Sequence, residues 1–345
     1  MFAPITTPRL VLRAPEPDDV DALFRRRNDP EVARWQNWTL PWPPVSADKI
    51  VADTVAMGGP GDGQWWMVTV VEQAGGETVG DLALHLSNGG RTAEIGYTFA
   101  SAHWGRGYAV EAAEALVAWL FEEQGVSRVA AMLHPANHPS AMVLERTGFV
   151  LEGHTRLSFW LGDDNSDDLI YGLTRAGWEA WRARPRHRPA KVRLMEITPE
   201  TCPVVAGLRT HASQERFVSP MARWFAETLY PPVEDGDPVV PWLRAVEADG
   251  ELVGIVLLCE PTAHGPRPYL WRLLIDRLHQ RRGVADQVLQ LIEAQCRAWR
   301  ATELEVTWRP GRGTPEPFYL ARGFEPCNVD TLPDGDEVVE ARKRL

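Results

Sequence analysis

Apolar and polar residues alternate along the chain in short runs, and the same order of runs occurs twice. Residues 9–13, Arg-Leu-Val-Leu-Arg, alternate as a strand, and Pro15-Glu16-Pro17-Asp18-Asp19 then starts a helix through Leu23, with acidic residues at its positive end. The runs 65–72 and 79–86 flank Ala74-Gly75-Gly76-Glu77 and predict a hairpin. A strand at 94–99, a helix at about 110–124, a strand at 128–133, a helix containing Leu144-Glu145-Arg146 and a closing strand near 169–173 complete the first series. The second series restarts at 192–197 and has a helix-start signal at Thr198-Pro199-Glu200. A hairpin joins 243–246 to 252–259 across Asp249-Gly250, and an apolar strand follows at 270–275. A helix with Val284, Val288, Leu291 and Ile292 at helical spacing and a strand at 303–308 come next.

The element that repeats most clearly is a strand, a glycine loop and a helix start. In the second half it is Leu270 to Ile275, then Gln280-Arg281-Arg282-Gly283-Val284-Ala285. In the first half it is the strand containing Glu94, then Trp104-Gly105-Arg106-Gly107-Tyr108-Ala109, about half the chain length earlier. The first N–H groups of a helix lack intrahelical partners and sit at the positive end of its dipole, so such a loop can bind an anion. Taken singly, each loop could be an ordinary strand-to-helix turn. Neither follows Gly-x-Gly-x-x-Gly within a parallel βαβ unit with a later ribose-binding acid, so a dinucleotide fold does not fit.

The loop pattern Gln/Arg-x-x-Gly-x-Gly/Ala resembles motif A of the GNAT superfamily of acyl-CoA-dependent N-acyltransferases. From about Arg9 to Trp181 the order of elements is similar to the ribosomal-protein-alanine (Rim-type) N-acetyltransferases. That likeness rests on Glu94-Ile95-Gly96-Tyr97, the first loop, Asn137-x-x-Ser140 and Leu144-Glu145-Arg146-Thr147-Gly148-Phe149. Many members have Gln where Trp104 stands. The second half, with Gln214-x-x-Phe217-Val218-x-Pro220 and Phe318-Tyr319-x-x-x-Gly323-Phe324, resembles polyamine (spermine/spermidine) N-acetyltransferase-like domains.

The resemblance implies an α/β (α+β) fold: two tandem GNAT domains, each a mixed, mostly antiparallel sheet flanked by helices. Expected boundaries are 1–183 and 192–345, joined by a basic, proline-rich linker at 184–191. It also implies that the two loops, with Leu274 and Ile275 on the second strand, hold acetyl-CoA as co-substrate, and that Asn137 hydrogen-bonds its pantetheine arm. Two strands splay apart after a bulge, and a backbone N–H at 95–98 or 272–275 polarises the thioester carbonyl. Tyr319 matches the tyrosine that protonates the departing thiolate. In the first half Leu144 fills that slot, and Ser140 takes the role. Each has a plainer reading: Tyr319 as a core aromatic, Asn137 and Ser140 as helix caps. Glu94, beside the acyl site, could accept the amine proton or be a surface carboxylate. Asp276 could brace the second loop, and the Trp- and Pro-rich run 35–43 could wall a substrate pocket or pack on the core.

Composition narrows the partners. At 345 residues, with 44% hydrophobic and 24% charged residues, each half can bury its own core. The net charge of −11 disfavours a nucleic-acid partner and suits an amine, although a soluble acidic surface explains it equally well. Four cysteines without Cys-x-x-Cys spacing read as reduced thiols, and no apolar run reaches the roughly 18 residues of a membrane span, so a cytoplasmic protein with no membrane partner is expected. His134 and His138 are separated by prolines that argue for a loop, and no metal is assigned. The expected function is transfer of an acetyl group to a primary amine, on a small molecule, polyamine, antibiotic or peptide N-terminus, by direct attack on the thioester. The alternative is that one or both domains only bind acyl-CoA or act as scaffold. Monomer and homodimer both remain open.

Overall fold

A computed structural model describes residues 2–345 apart from Asp235, Gly236, His264, Pro333 and Asp334. The chain divides into two compact units, Met1–Arg182 and Ala183–Leu345. Asp235 and Gly236, in the acidic proline-rich loop that follows Tyr230, lie outside the described residues.

The first unit is built on β1 (Ile5–Thr6), β2 (Leu10–Arg13), β3 (Trp65–Glu72), β4 (Thr78–Ser87), β5 (Thr92–Phe99), β6 (Arg128–Leu133), β7 (Val150–Leu161) and β8 (Asp164–Thr174). They form one sheet in the order β1-β2-β3-β4-β5-β6-β8-β7, antiparallel except for β5 beside β6. The helix Tyr108–Glu122 covers one face and buries Ala112, Leu116, Val117 and Leu120 against it. On the other face the helices Val20–Arg27 and Pro44–Met57 close over Met67 with Leu23, Trp42, Ala47 and Val51.

The second unit opens with β9 (Val192–Met195) and a short hairpin of β10 (Val233–Glu234) and β11 (Asp237–Pro238). Its main sheet adds β12 (Pro241–Ala248), β13 (Glu251–Cys259), β14 (Tyr269–Ile275), β15 (Glu303–Trp308), β16 (Glu325–Thr331) and β17 (Glu337–Arg344), in the order β16-β17-β15-β14-β13-β12-β9. Again one pair is parallel, β14 with β15. The helix Val284–Ala298 packs Val284, Val288, Leu289 and Ile292 onto one face, and Trp224 and Val205 cover Ile255, Leu257 and Leu274 on the other.

Both parallel pairs come apart. β5 pairs with β6 only through Thr92, Ala93 and Glu94; β14 pairs with β15 only through Tyr269 and Leu270. Beyond those residues each sheet has a cleft, with strand edges that need other partners. In the second unit the register of β13 against β14 skips Trp271, which is the expected bulge. The first unit departs from that expectation: β4 and β5 pair residue for residue from Gly80↔Phe99 to Ser87↔Thr92, and the cleft opens without a bulge. There Tyr97 reaches Ser140 on the helix His138–Thr147. No described helix is long and apolar enough to cross a membrane.

Two further features depart from the sequence reading. The helix Pro44–Met57 follows directly on the Trp/Pro run, where no helix was expected. The segment expected as a solvated linker is anchored on the second unit. The His187 and Pro189 carbonyls accept from Arg282 Nε and Gln287 Nε2 at 3.0 and 3.1 Å, and the Lys191 amide donates to Asp249 at 2.9 Å.

Candidate functional site

The two glycine loops have the same backbone shape. In the first, Gly105 and Gly107 are left-handed (φ 78° and 81°); in the second, Arg281 and Gly283 hold the matching positions (φ 60° and 77°). Gly107 and Gly283 are the N-caps of the fifteen-residue helices Tyr108–Glu122 and Val284–Ala298. Alternate left-handed residues turn successive amides toward one concave side, and the helix dipole adds to that pull on an anion. The space beside Gly105 is open, as a close-lying phosphate group requires.

Side chains around the loops hold them in place. In the first, Trp104 is 49% exposed and its indole N–H donates to the Phe99 carbonyl at 2.8 Å. The Tyr108 ring is buried and its hydroxyl donates to Glu72, so Tyr108 and Ala109 offer the loop their backbone N–H groups. Arg9 lies against Gly107, donates to the Arg106 carbonyl at 2.8 Å and pairs with Glu111 at 2.6 Å. In the second loop, Gln280 donates to the Ile275 carbonyl at 3.0 Å and to Gln214 at 2.9 Å. The Arg282 side chain is buried against His279 and the His187 carbonyl, so only its backbone faces a ligand. Arg281 is exposed, and Val284 and Ala285 begin the helix. Asp276 braces this loop by accepting from the Leu278 and Arg209 amides, each at 2.9 Å. Arg188, from the anchored segment, lies against Gly283, a position its sequence context did not reveal.

Each cleft leads into a large cavity. That of the first unit, about 1110 Å³, is walled by Trp35, Trp38, Trp65 and Trp66 and has Glu94 and Tyr97 on its strand side. The sheet register explains its floor: Trp65, His85 and Glu94 form one cross-strand row, and Met67, Ala83 and Gly96 the next, where small residues leave room. Burial holds the Glu94 carboxyl above its usual range, with His85 opposing. The sequence-predicted pair Asn137 and Ser140 meet at the helix start, where the Asn137 side-chain Oδ1 accepts from the Ser140 amide at 3.3 Å. Ser140 Oγ lies 2.8 Å from the Tyr97 hydroxyl, a contact between residues far apart in sequence. Burial raises the Tyr97 pKa, and the Ser140 hydrogen bond opposes it. The His134 ring packs at a tilt against Trp35, 4.8 Å between ring centres, on the cavity wall.

The second cavity, about 1010 Å³, includes the loop itself: Gln280, Arg281, Gly283, Val284 and Ala285 line it together with Leu274, Ile275, Thr307 and Tyr319. Its walls also hold Arg223, Arg272, Arg309 and Arg322. Tyr319 is 6% exposed, stacks on Trp308 at 5.8 Å and meets the edges of Phe318 and Phe324. Burial pushes its pKa well up, so it stays protonated at any ordinary pH. Tyr269, at the mouth of the cleft, is hydrogen-bonded to Thr307 across it at 2.6 Å, and burial lifts its pKa to about 12.

Two left-handed loops at helix N-termini, set beside parallel strands that separate, define a class, and comparison with known proteins identifies it. The profile described as Acetyltransferase (GNAT) domain matches residues 9–150, and that described as Acetyltransferase (GNAT) family matches 206–324. The chain belongs to the GNAT acetyltransferases, a family of acetyl-CoA-dependent N-acetyltransferases, and is a tandem of two such domains.

Among its relatives is the uncharacterized N-acetyltransferase p20 of Bacillus licheniformis, 33% identical over 152 residues, which are 44% of this chain and 84% of p20. The uncharacterized N-acetyltransferase YoaA of Bacillus subtilis is 27% identical over 176 residues, 51% of this chain and 98% of YoaA. A GNAT-family acetyltransferase structure from Bacillus anthracis aligns at a TM-score of 0.46, with 26% identity over 50% of this chain and 98% of its own.

Proposed function

We propose that the first domain acetylates a primary amine held in the cavity beside Glu94. The observation that favours this is the position of Glu94: the last residue at which β5 pairs with β6, on the cavity wall, with a carboxyl that burial makes a stronger base than usual. Bound acetyl-CoA supplies the thioester carbonyl that the amine nitrogen attacks. Glu94 takes the proton from that nitrogen, directly or through water. The freed backbone edge of β5 at 95–98 polarises the carbonyl oxygen. Ser140 donates its hydroxyl proton to the leaving sulfur, and Tyr97 orients it at 2.8 Å. The aromatic walls with Asp53, Asp164 and Asp168 suit a cationic acceptor.

In the second domain Tyr319 is the proton donor, since it lines the cavity and keeps its proton. No carboxylate takes the place of Glu94 at residue 270, and water removes the amine proton there. The loops with Asn137, Leu274 and Ile275 position the co-substrate.

Coenzyme A release over a panel of amines tests the first domain, measured in a chain whose second loop carries Gly283→Glu. In the parent, kcat/KM rises with pH as the amine deprotonates, and it falls more steeply below the raised Glu94 pKa, where base and nucleophile are both protonated. In Glu94→Gln, kcat/KM is lower by about thirtyfold and the steeper acid limb disappears. An unchanged profile removes Glu94 from the reaction.

A further inference from the structure

At the first domain's cavity two neighbouring arginines share one carboxylate. Arg26 and Arg27 both turn to Asp81. Arg26 approaches Oδ2 through Nη2 at 2.5 Å and Nε at 3.0 Å, and Arg27 Nη2 lies 3.6 Å from Oδ1. The Thr98 hydroxyl donates to the same carboxylate at 2.8 Å. The side chains of Arg26 and Asp81 are 2% and 3% exposed, and that of Arg27 is 14% exposed. One carboxylate therefore serves two guanidinium groups out of bulk water, and Asp81 is the one carboxylate acting on Arg27 among the described residues.

Hydrogen bonding is incomplete as well. Nη1 of Arg26 and Nε of Arg27 are buried without a partner. Trp38 and Trp42 lie 4.2 and 5.4 Å from the Arg27 guanidinium. Ring faces attract a cation but accept few of its N–H bonds, so they replace an anion only in part. An unbalanced buried cation is costly to hold, and the cost is recovered when a ligand brings the missing charge. Arg27, unlike Arg26, lines the cavity. The loop 104–109 does not, so the phosphates of the co-substrate belong elsewhere.

We propose that Arg27 binds an anionic group of the acceptor, so that the first domain acetylates the amine end of a molecule whose other end carries a carboxylate or phosphate. This rests on the reading of the same cavity as the amine site. Asp81 faces Thr98, and Thr98 stands four residues along β5 from Glu94, about 14 Å at the rise of a strand. With the reach of the side chains, amine and anion are separated by roughly 7–14 Å, which excludes an α-amino acid and admits ω-amino acids, aminoalkyl phosphates and short peptides.

The test compares matched acceptors in the Gly283→Glu chain: 6-aminohexanoate, its amide, hexylamine and 6-aminohexyl phosphate. The expected result is that one or both anionic acceptors exceed the amide in kcat/KM by about tenfold or more. In Arg27→Gln that preference shrinks to within about twofold, while the rate with the amide changes by less than about threefold. The carboxylate and phosphate arms show which anion is preferred. Equal rates for acid, amide and phosphate in the parent overturn the inference, and that comparison stands even if Arg27→Gln fails to fold.

Calorimetric binding of the same four compounds without acetyl-CoA provides a second readout. If no amine releases coenzyme A, the amine-transfer reading fails, and anion-dependent binding lost in Arg27→Gln still upholds Arg27 as an anion site. Binding that ignores the anion overturns the inference.

Discussion

The two domains share a cleft and a loop but have built different surroundings for them. Both loops reach the same curvature, yet the first uses glycine at both left-handed positions while the second places Arg281 in one of them. A left-handed non-glycine residue costs about 1–2 kcal/mol. The second domain therefore holds an exposed cation in its glycine loop at the expense of backbone strain. The first domain balances Arg9 with Glu111, and the second sets Arg188 against Gly283 from an anchored segment.

Both cavities are rich in aromatic rings and differ in charge: carboxylates outnumber arginines around the first cleft, and arginines outnumber carboxylates around the second. The second cavity takes in its glycine loop and the first does not. In the proposed mechanism similar folds bind the co-substrate alike and assign the proton chemistry to different residues.

That contrast is broken most sharply at Tyr319. In a chain whose first loop carries Gly107→Glu, Tyr319→Phe should lower kcat by about a hundredfold with acetyl-CoA affinity nearly unchanged. Equal kcat would leave Tyr319 as a core aromatic. In the complementary chain with Gly283→Glu, Ser140→Ala should lower kcat by about tenfold and Tyr97→Phe by about threefold, the pair acting together rather than additively. If Tyr97→Phe costs more than Ser140→Ala, the tyrosine is the proton donor and the serine its support.

The outline of this contrast is legible in the sequence. Gly107 and Gly283 stand where helix periodicity begins, Glu94 and Tyr319 line the two cavities, and Asn137 caps the helix that contains Ser140. Contacts between distant residues were less legible. Tyr97 meets Ser140 across the cleft because β5 and β6 separate, and strand pairing is not printed in local pattern. Arg281 was legible as a cation but not as a left-handed residue, since local preference assigns that conformation to glycine or asparagine. The helix Pro44–Met57 was hidden by its prolines and by a weak apolar stripe. A basic, proline-rich run resembles a linker by composition, yet its carbonyls are hydrogen-bonded to Arg282 and Gln287.

The smallest expected effect concerns the strain. Arg281→Gly should leave stability unchanged or raise it by up to about 1 kcal/mol, while weakening acetyl-CoA binding to the second domain by about fivefold. A gain in stability with no loss of affinity would mean that the arginine is there for reasons other than the ligand.

The central claim, two working co-substrate loops in one chain, is tested most directly by calorimetric titration of acetyl-CoA into the parent, Gly107→Glu and Gly283→Glu. Each substitution sets a carboxylate on a left-handed glycine at a helix N-cap, where the pyrophosphate is expected. The account predicts two sites in the parent and one in each variant, with the double variant binding none. A single site in the parent, or two sites that survive both substitutions, would contradict it.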